Sequence, residues 1–214
     1  MYKVIFCDLD GTLFEDSERH YRCYCDIVSK YGGNCIDKET YWADKRNKIN
    51  RKELLKKSNF QGSYEDYIQT WNEWIEQEKY LKFEDPREKL DEILGLLRKT
   101  TEKLVLITMR QKKEALEKQL ADRGLLSYFD EIIKGDPTRE KKADLVAQQY
   151  GESALVIGDT EADGELSQRI GSRFIAVTSG LRERKHLYMA DYFVEDLAEL
   201  KDLLTDGNKF EKVD

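Results

Sequence analysis

Only two histidines, His20 and His186, occur in 214 residues, too few for a catalytic or metal centre built on imidazole. Basic charge is not in excess either. The formal net charge is −7, which argues against nucleic acid as a partner, because that binding relies on a basic footprint. No run approaches the ~20 apolar residues that cross a membrane, and the N-terminus has no signal-peptide stretch, so no membrane association is expected. Cysteine is sparse and early: Cys7, Cys23, Cys25 and Cys35. One C-x-C without a second pair is a poor zinc pattern, and nothing suggests secretion. The cysteines read as reduced thiols in a cytoplasm. What is present is 40% hydrophobic and 37% charged, the composition of a soluble protein long enough for one domain and an insert.

The chain is organised around Asp8-Leu9-Asp10-Gly11-Thr12. The apolar run Val4-Ile5-Phe6-Cys7 before it has the length and residue types of a buried strand, and Gly11 lets the backbone turn at its end. That turn can swing Asp10 back towards whatever Asp8 attacks. A carboxylate is a competent nucleophile towards phosphoryl groups, and a neighbouring acid can protonate the leaving oxygen.

After Thr12 the pattern turns helical for about seventy residues, on apolar spacing. Asp16 or Ser17 can cap a helix carrying Tyr21, Tyr24, Val28 and Tyr31, stopped by Gly32-Gly33. Asp37 can cap a second with Tyr41, Trp42, Ile49, Leu54 and Leu55. A third opens at Ser63-x-x-Asp66, a capping pattern, and carries Tyr67, Ile68, Trp71, Trp74 and Ile75. All three tryptophans fall within these seventy residues, as the aromatic core of a small helical bundle requires. Residues 38–57 hold eight basic side chains against three acidic ones. Such a run is ordinarily a solvated helix face; the other reading is a positive surface that draws in an anionic substrate.

From Asp85-Pro86 onward helix and strand alternate. Pro86 suits a first helical turn, followed by Leu90, Ile93, Leu94 and Leu97 at helical spacing. A strand at 104–107 ends at Thr108, a helix near 111–122 stops at Gly124, and a short strand spans 129–133. A helix from Asp136 or Thr138 to Tyr150, a strand at 154–157 ending in Gly158-Asp159, and a short helix to Ile170 follow. Strands at 174–177 and 192–194 and a last amphipathic helix complete the pattern, with a loose tail after Asp206. The expectation is an α/β fold: a Rossmann-like parallel sheet with right-handed crossovers and helices on both faces.

A parallel sheet presents its strand ends on one edge, where ligands bind at a topological switch point. Asp8, Thr108 and Asp159 each end an apolar run and should meet there, with Asp163 four residues past Asp159. Lys141 and Lys142 enter the same region. Several carboxylates around one cleft repel unless a cation sits among them, and hard oxygen donors suit Mg²⁺. A hydroxyl, a lysine and loop amides would hold the remaining phosphate oxygens.

Taken together, Asp8-Leu-Asp-Gly-Thr-Leu13, Thr108, the lysine pair and Gly158-Asp-Thr-Glu-Ala-Asp163 resemble the four ordered motifs of the haloacid dehalogenase superfamily. Ile175-Ala-Val-Thr-Ser-Gly180 and Ala190-Asp-Tyr-Phe-Val194 resemble the end of its phosphoglycolate-phosphatase-like branch. The resemblance implies a catalytic core at 1–15 and 84–214 and a mobile all-helical cap at 16–83. It also implies phosphoester hydrolysis through an aspartyl-phosphate. Asp8 would be nucleophile and metal ligand, and Asp10 the acid/base, with its main-chain carbonyl also on Mg²⁺. Thr108, Met109 and a lysine would bind phosphate, while Asp159 would ligate the metal and Asp163 support it. Met109-Arg110 stands where the branch usually has a small polar residue. From the cap, His20, Arg46 and Arg51 are candidate contacts for the rest of the substrate.

The reading is a Mg²⁺-dependent phosphatase for a small phosphorylated metabolite, as a monomer or weak homodimer. The alternatives are a phosphomutase or other phosphotransferase, and an idle ligand-binding or regulatory protein. A dehalogenase needs neither leaving-group acid nor metal and leaves Asp10, Asp159 and Asp163 without purpose. Of the two lysines, Lys142 is the expected ligand. On a helix with Ala143, Val146, Ala147 and Tyr150 as its buried stripe, Lys142 lies about 90° from the stripe centre and Lys141 about 170°. Lys142 could therefore run its stem along the packed surface and reach Asp8.

Overall fold

The computed structural model describes residues 1–205, so the tail expected after Asp206 lies outside the described residues. The chain forms two compact units, Met1–Glu15 with the chain from Pro86 onward, and Asp16–Asp85. It begins with strand β1 (Tyr2–Cys7) and the short strand β2 (Phe14–Glu15).

The helical unit holds α1 (Ser17–Lys30), α2 (Lys38–Arg46), α3 (Arg51–Lys57), α4 (Tyr64–Trp74) and α5 (Glu78–Leu81). Its core is aromatic: Tyr24 stacks on Tyr41 at 4.4 Å, and Tyr67 on Trp71 at 5.9 Å. The Asp37 carboxylate accepts from the Thr40 amide, and Ser63 with Asp66 forms a complete capping box. The single helix expected from Asp37 to Leu55 is two. Asn47 closes α2, Lys48 adopts φ +59°, and the Asn50 side chain caps α3 by accepting from the Lys52 amide. Ile49, expected in the apolar stripe, lies at this break and is exposed. The short α5 was not anticipated.

Strand β3 (Asp85–Pro86) forms a separate two-stranded sheet with β2. Pro86 is therefore extended rather than in a first helical turn. The Arg87 amide donates to the Leu13 carbonyl, and helix α6 (Leu90–Thr100) starts only after the left-handed Lys89. It runs directly into β4 (Thr101–Thr108), and α7 (Lys113–Asp122), β5 (Glu131–Lys134) and β6 (Ala154–Gly158) follow. Then come α8 (Glu161–Ile170), β7 (Arg173–Val177), β8 (Tyr192–Val194) and α9 (Leu200–Thr205).

The main sheet is parallel, ordered β5-β4-β1-β6-β7-β8. Because side chains alternate along a strand, each strand feeds two cores. Ile5, Cys7, Leu104, Leu106, Leu155 and Ile157 pack against α6 and α7 on one face. Val4, Phe6, Val105, Ile107 and Val156 pack against α8 on the other. The chain visits β4 and β5 on one side of β1 before returning to β6 on the other, so the switch point is the end of β1. Among the described residues no helix is long and apolar enough to cross a membrane.

The helix expected from Thr138 to Tyr150 does not form; a single 3-10 turn, Lys142–Leu145, stands there. The Asp136 carboxylate closes a local turn by accepting from the amide and hydroxyl of Thr138, and Glu140 accepts from the Asp136 amide. Further on, the Tyr150 amide donates to Ile170 and its ring meets Phe6 edge-on at 5.8 Å. The Glu140 amide makes one helical bond, to the Asp136 carbonyl, but at the far end the Tyr150 amide is committed to Ile170, and Ala147 is exposed.

Candidate active site

The site follows from the sheet order. The Asp8 amide extends the β1 ladder by donating to the Ile157 carbonyl, so the Asp8 side chain leaves the sheet at the switch point. On one side Thr108 ends β4; on the other Asp159 follows β6. Gly11 (φ +79°) then turns the chain back, and the Asp159 carboxylate lies where a Cβ on Gly11 or on Gly180 would stand. Both glycines are required by that close approach. Arg87 donates to the Gly11 carbonyl at 2.8 Å and secures the loop.

Asp8, Asp159 and Asp163 are buried, and each offers an oxygen within 4.8 Å of the others. The Lys142 ammonium, itself buried, bonds Asp8 Oδ1 and, at 2.7 Å, Asp163 Oδ1. The Thr12 hydroxyl lies 3.2 Å from both Asp8 Oδ2 and Asp159 Oδ1. Asp163 Oδ2 accepts from the amide and hydroxyl of Thr160, closing the capping box of α8, and the Leu181 amide donates to Asp159 Oδ2. Lys142 thus enters the site as expected although no helix carries it, and Lys141 is exposed. The 3-10 turn, held by two ion pairs, does what the helix margin was expected to do.

Burial pushes the Asp8 carboxyl up to about 7; Lys142 opposes the shift, and Asp163 and Asp10 add to it. Burial works against the Lys142 charge, but Asp163 and Asp8 outweigh it and raise its pKa. One lysine among three buried carboxylates leaves a surplus of negative charge and hard oxygen donors. That donor set fits a divalent cation such as Mg²⁺. The Thr108 hydroxyl is buried with no hydrogen-bond partner, an uncommon condition for a buried polar group and one that a ligand oxygen would relieve. Met109 follows it with its thioether against Gly135, so a phosphate contact there would have to come from the main chain.

Two groups at the site were not foreseen in these roles. Thr12, within the first motif, bridges two carboxylates. Arg110 is buried and grips both oxygens of Asp10: Nη2 lies 2.5 Å from Oδ1 and Nε 3.0 Å from Oδ2. The only signal in the sequence was that Met109-Arg110 departs from the pattern it resembles.

The three remaining candidates lie in the helical unit. The His20 ring is edge-on to Trp42 at 5.9 Å and to Trp71 at 5.4 Å, and its Nδ1 is 2.7 Å from the Lys45 ammonium. Arg51 lies over Tyr67 and Trp71, while Arg46 is half-buried in α2. His20 and Arg51 thus meet on one tryptophan. Part of the basic stretch is internally paired, Lys57 with Asp44 and Lys38 with Glu18.

Comparison with known proteins agrees with this frame. The profile of the family described as haloacid dehalogenase-like hydrolase matches residues 4–177. A phosphoglycolate phosphatase of Aquifex aeolicus is 29% identical over 183 residues, covering 80% of this chain and 82% of that protein. Among solved structures, a predicted phosphatase from Clostridium acetobutylicum superposes with TM-score 0.74 at 20% identity, over 96% of this chain and 99% of that one. A candidate β-phosphoglucomutase from Thermotoga maritima superposes with TM-score 0.67, also at 20% identity, over 96% and 99%. At that identity the two structures establish a shared fold and nothing finer. The family profile spans most of the chain and both ends of the carboxylate cluster, and the chain belongs to the haloacid dehalogenase-like hydrolase family.

Proposed function

We propose that this hydrolase is a Mg²⁺-dependent phosphatase that acts on a small phosphorylated metabolite through an aspartyl-phosphate on Asp8. The observation that carries the reading is the setting of Asp8. It is a buried carboxylate at the switch point, held by Lys142 and clustered with Asp159 and Asp163. The partnerless hydroxyl of Thr108 ends the neighbouring strand.

In this scheme an Asp8 oxygen attacks phosphorus, forming the Asp8–phosphoryl bond as the bond to the substrate's oxygen breaks. Asp10 gives its proton to that leaving oxygen. Asp10 then takes a proton from water, which attacks the phosphoryl group and releases inorganic phosphate and free Asp8. Thr108, the main chain at Met109 and Lys142 hold phosphoryl oxygens and favour the charge of the transition state. Asp8, Asp159 and the Asp10 main-chain carbonyl would hold Mg²⁺, supported by Asp163, and the ion would supply positive charge opposite the transferring group. The helical unit would serve as the cap that selects the organic part of the substrate, with His20, Arg46 and Arg51 as its candidate contacts. Free thiols at all four cysteines suit a reducing cytoplasm, and a monomer or weak homodimer suffices.

The test is phosphate release from a panel of phosphorylated metabolites with and without Mg²⁺, alongside Asp8→Asn. Turnover should require Mg²⁺ and fall by several orders of magnitude in the variant, whose fold should survive. Transfer of the phosphoryl group to a second sugar position, with no free phosphate, would instead identify a phosphomutase.

A further inference from the structure

The Arg110 guanidinium is fixed at both ends. Its backbone leaves the end of β4, and its Nη1 donates to Gln119 Oε1 on α7 at 2.7 Å. Between these anchors it makes a two-point contact with the Asp10 carboxylate across 100 residues of sequence. Asp10 sits on a turn, and its side chain keeps 24% of its surface exposed, where Asp8 and Lys142 are closed in. Without a second restraint a carboxylate in that position would rotate about its own side-chain torsions. A planar fork matched to both oxygens removes that freedom, which a lysine cannot do. Oδ1 accepts from both Nη2 and Nε, and Oδ2 from Nε.

We propose that Arg110 is a positioning residue for proton transfer by Asp10, and through it sets how well the enzyme handles poor leaving groups. This rests on the phosphatase reading above. Arg110 is assigned no contact with the substrate; it acts through the Asp10 carboxylate. In the transfer of the phosphoryl group to Asp8 its effect should appear where protonation of the leaving oxygen matters and vanish where it does not. An alkyl phosphate releases a strongly basic alkoxide and needs the proton in the transition state. A nitrophenyl phosphate releases a stable phenolate and does not. A purely structural Arg110, tying the first-motif loop to α7, would affect both substrates alike.

The experiment compares kcat/KM, which reports the steps through departure of the leaving group and not the later hydrolysis of the aspartyl-phosphate, for an alkyl phosphate and for p-nitrophenyl phosphate in the full-length protein with Mg²⁺. The variants are Arg110→Met, Arg110→Lys, Gln119→Met and Asp10→Asn, with the double variant Arg110→Lys/Asp10→Asn. General-acid catalysis contributes ~10²–10⁴-fold, so imperfect aim should cost roughly 10–10²-fold on the alkyl ester. The nitrophenyl ester should change by less than about threefold, as should KM for the alkyl ester, because binding is untouched. On Asp10→Asn, the second substitution should add no further alkyl-selective loss, the mark of two residues acting as a unit. Should Arg110→Met fail to fold, Arg110→Lys and Gln119→Met read the same ratio. Equal losses on both esters, or no loss on the alkyl ester, would overturn the proposal. Absence of hydrolysis of both esters by the unaltered protein would instead overturn the phosphatase reading and remove the basis of the proposal.

Discussion

The two units differ in where they place much of their charge. At the sheet edge Asp8, Asp159, Asp163, Lys142 and Arg110 are all buried, each held by named partners. In the helical unit many of the cations lie on aromatic faces: Lys45 and Arg51 over Trp71, Lys52 over Tyr64, and Lys79 over Trp74. That unit buries charge as well, in the Arg19–Glu84 pair at 2.7 Å. Burying a charge is costly unless its partners are well placed, so the sheet site tolerates few arrangements. A cation over a ring gains a smaller energy over a wide range of positions. The charges buried at the sheet are therefore the more exacting arrangement of the two.

The sharpest way to break this contrast is Lys142→Met against Lys141→Met. The first leaves Asp8 and Asp163 facing each other in a buried site. We expect kcat/KM to fall by ~10²-fold or more through loss of an electrostatic stabiliser. Stability should fall by about 3–5 kcal/mol, as for a broken buried pair. Exposed Lys141 should show neither effect. Equal losses in steady-state kinetics and thermal unfolding would show that burial does not separate the two.

Charge reversal in the helical unit should act more weakly and differently. Arg46→Glu with Arg51→Glu should raise KM for an anionic metabolite and leave kcat near its starting value. The effect should be larger at low salt, because screening removes it at high salt. A KM independent of both charge and salt would assign these residues to the solvated or aromatic face alone.

The smallest effects belong to exposed carboxylates in either unit. The Leu104 amide, opposed by some desolvation and aided by Arg98, holds Asp130 below its ordinary pKa. Ser63 does the same for Asp66 through its hydroxyl and amide. A depressed carboxylate contributes stability above its unfolded pKa and loses that contribution as pH falls through its folded value. Asp130→Asn and Asp66→Asn should each lower Tm slightly at neutral pH, and the difference should close in acid. Comparable small shifts in both units would confine the contrast between them to buried charge.

How much of this could be read from the chain follows the same division. Apolar runs ending in Asp8, Thr108 and Asp159 are local patterns, and parallel pairing converts them into one edge without further information. Lys142 reaches Asp8, but not by the route argued from the sequence: the apolar spacing of 143–150 suggested a helix, whereas the Tyr150 amide is committed to Ile170 and Ala147 is exposed. What carries Lys142 inward is its pair of carboxylates. Arg110 was not legible as a partner of Asp10, because a contact across 100 residues leaves no periodic trace. In the helical unit the Ser63 box is readable, but the break at Asn47-Lys48 is masked by an apolar pattern that runs through it. That pattern carried Ile49, which the fold leaves outside.

The account rests on Asp8 becoming covalently phosphorylated. Rapid acid quench of the protein with Mg²⁺ and a substrate found in the metabolite screen, followed by peptide mass analysis, reads this directly. The result predicted is a phosphoryl group on the peptide containing Asp8, released by hydroxylamine as an acyl phosphate should be and absent in Asp8→Asn. Turnover with no phosphoryl group on that peptide at any quench time, and near-parent activity in Asp8→Asn, would contradict it.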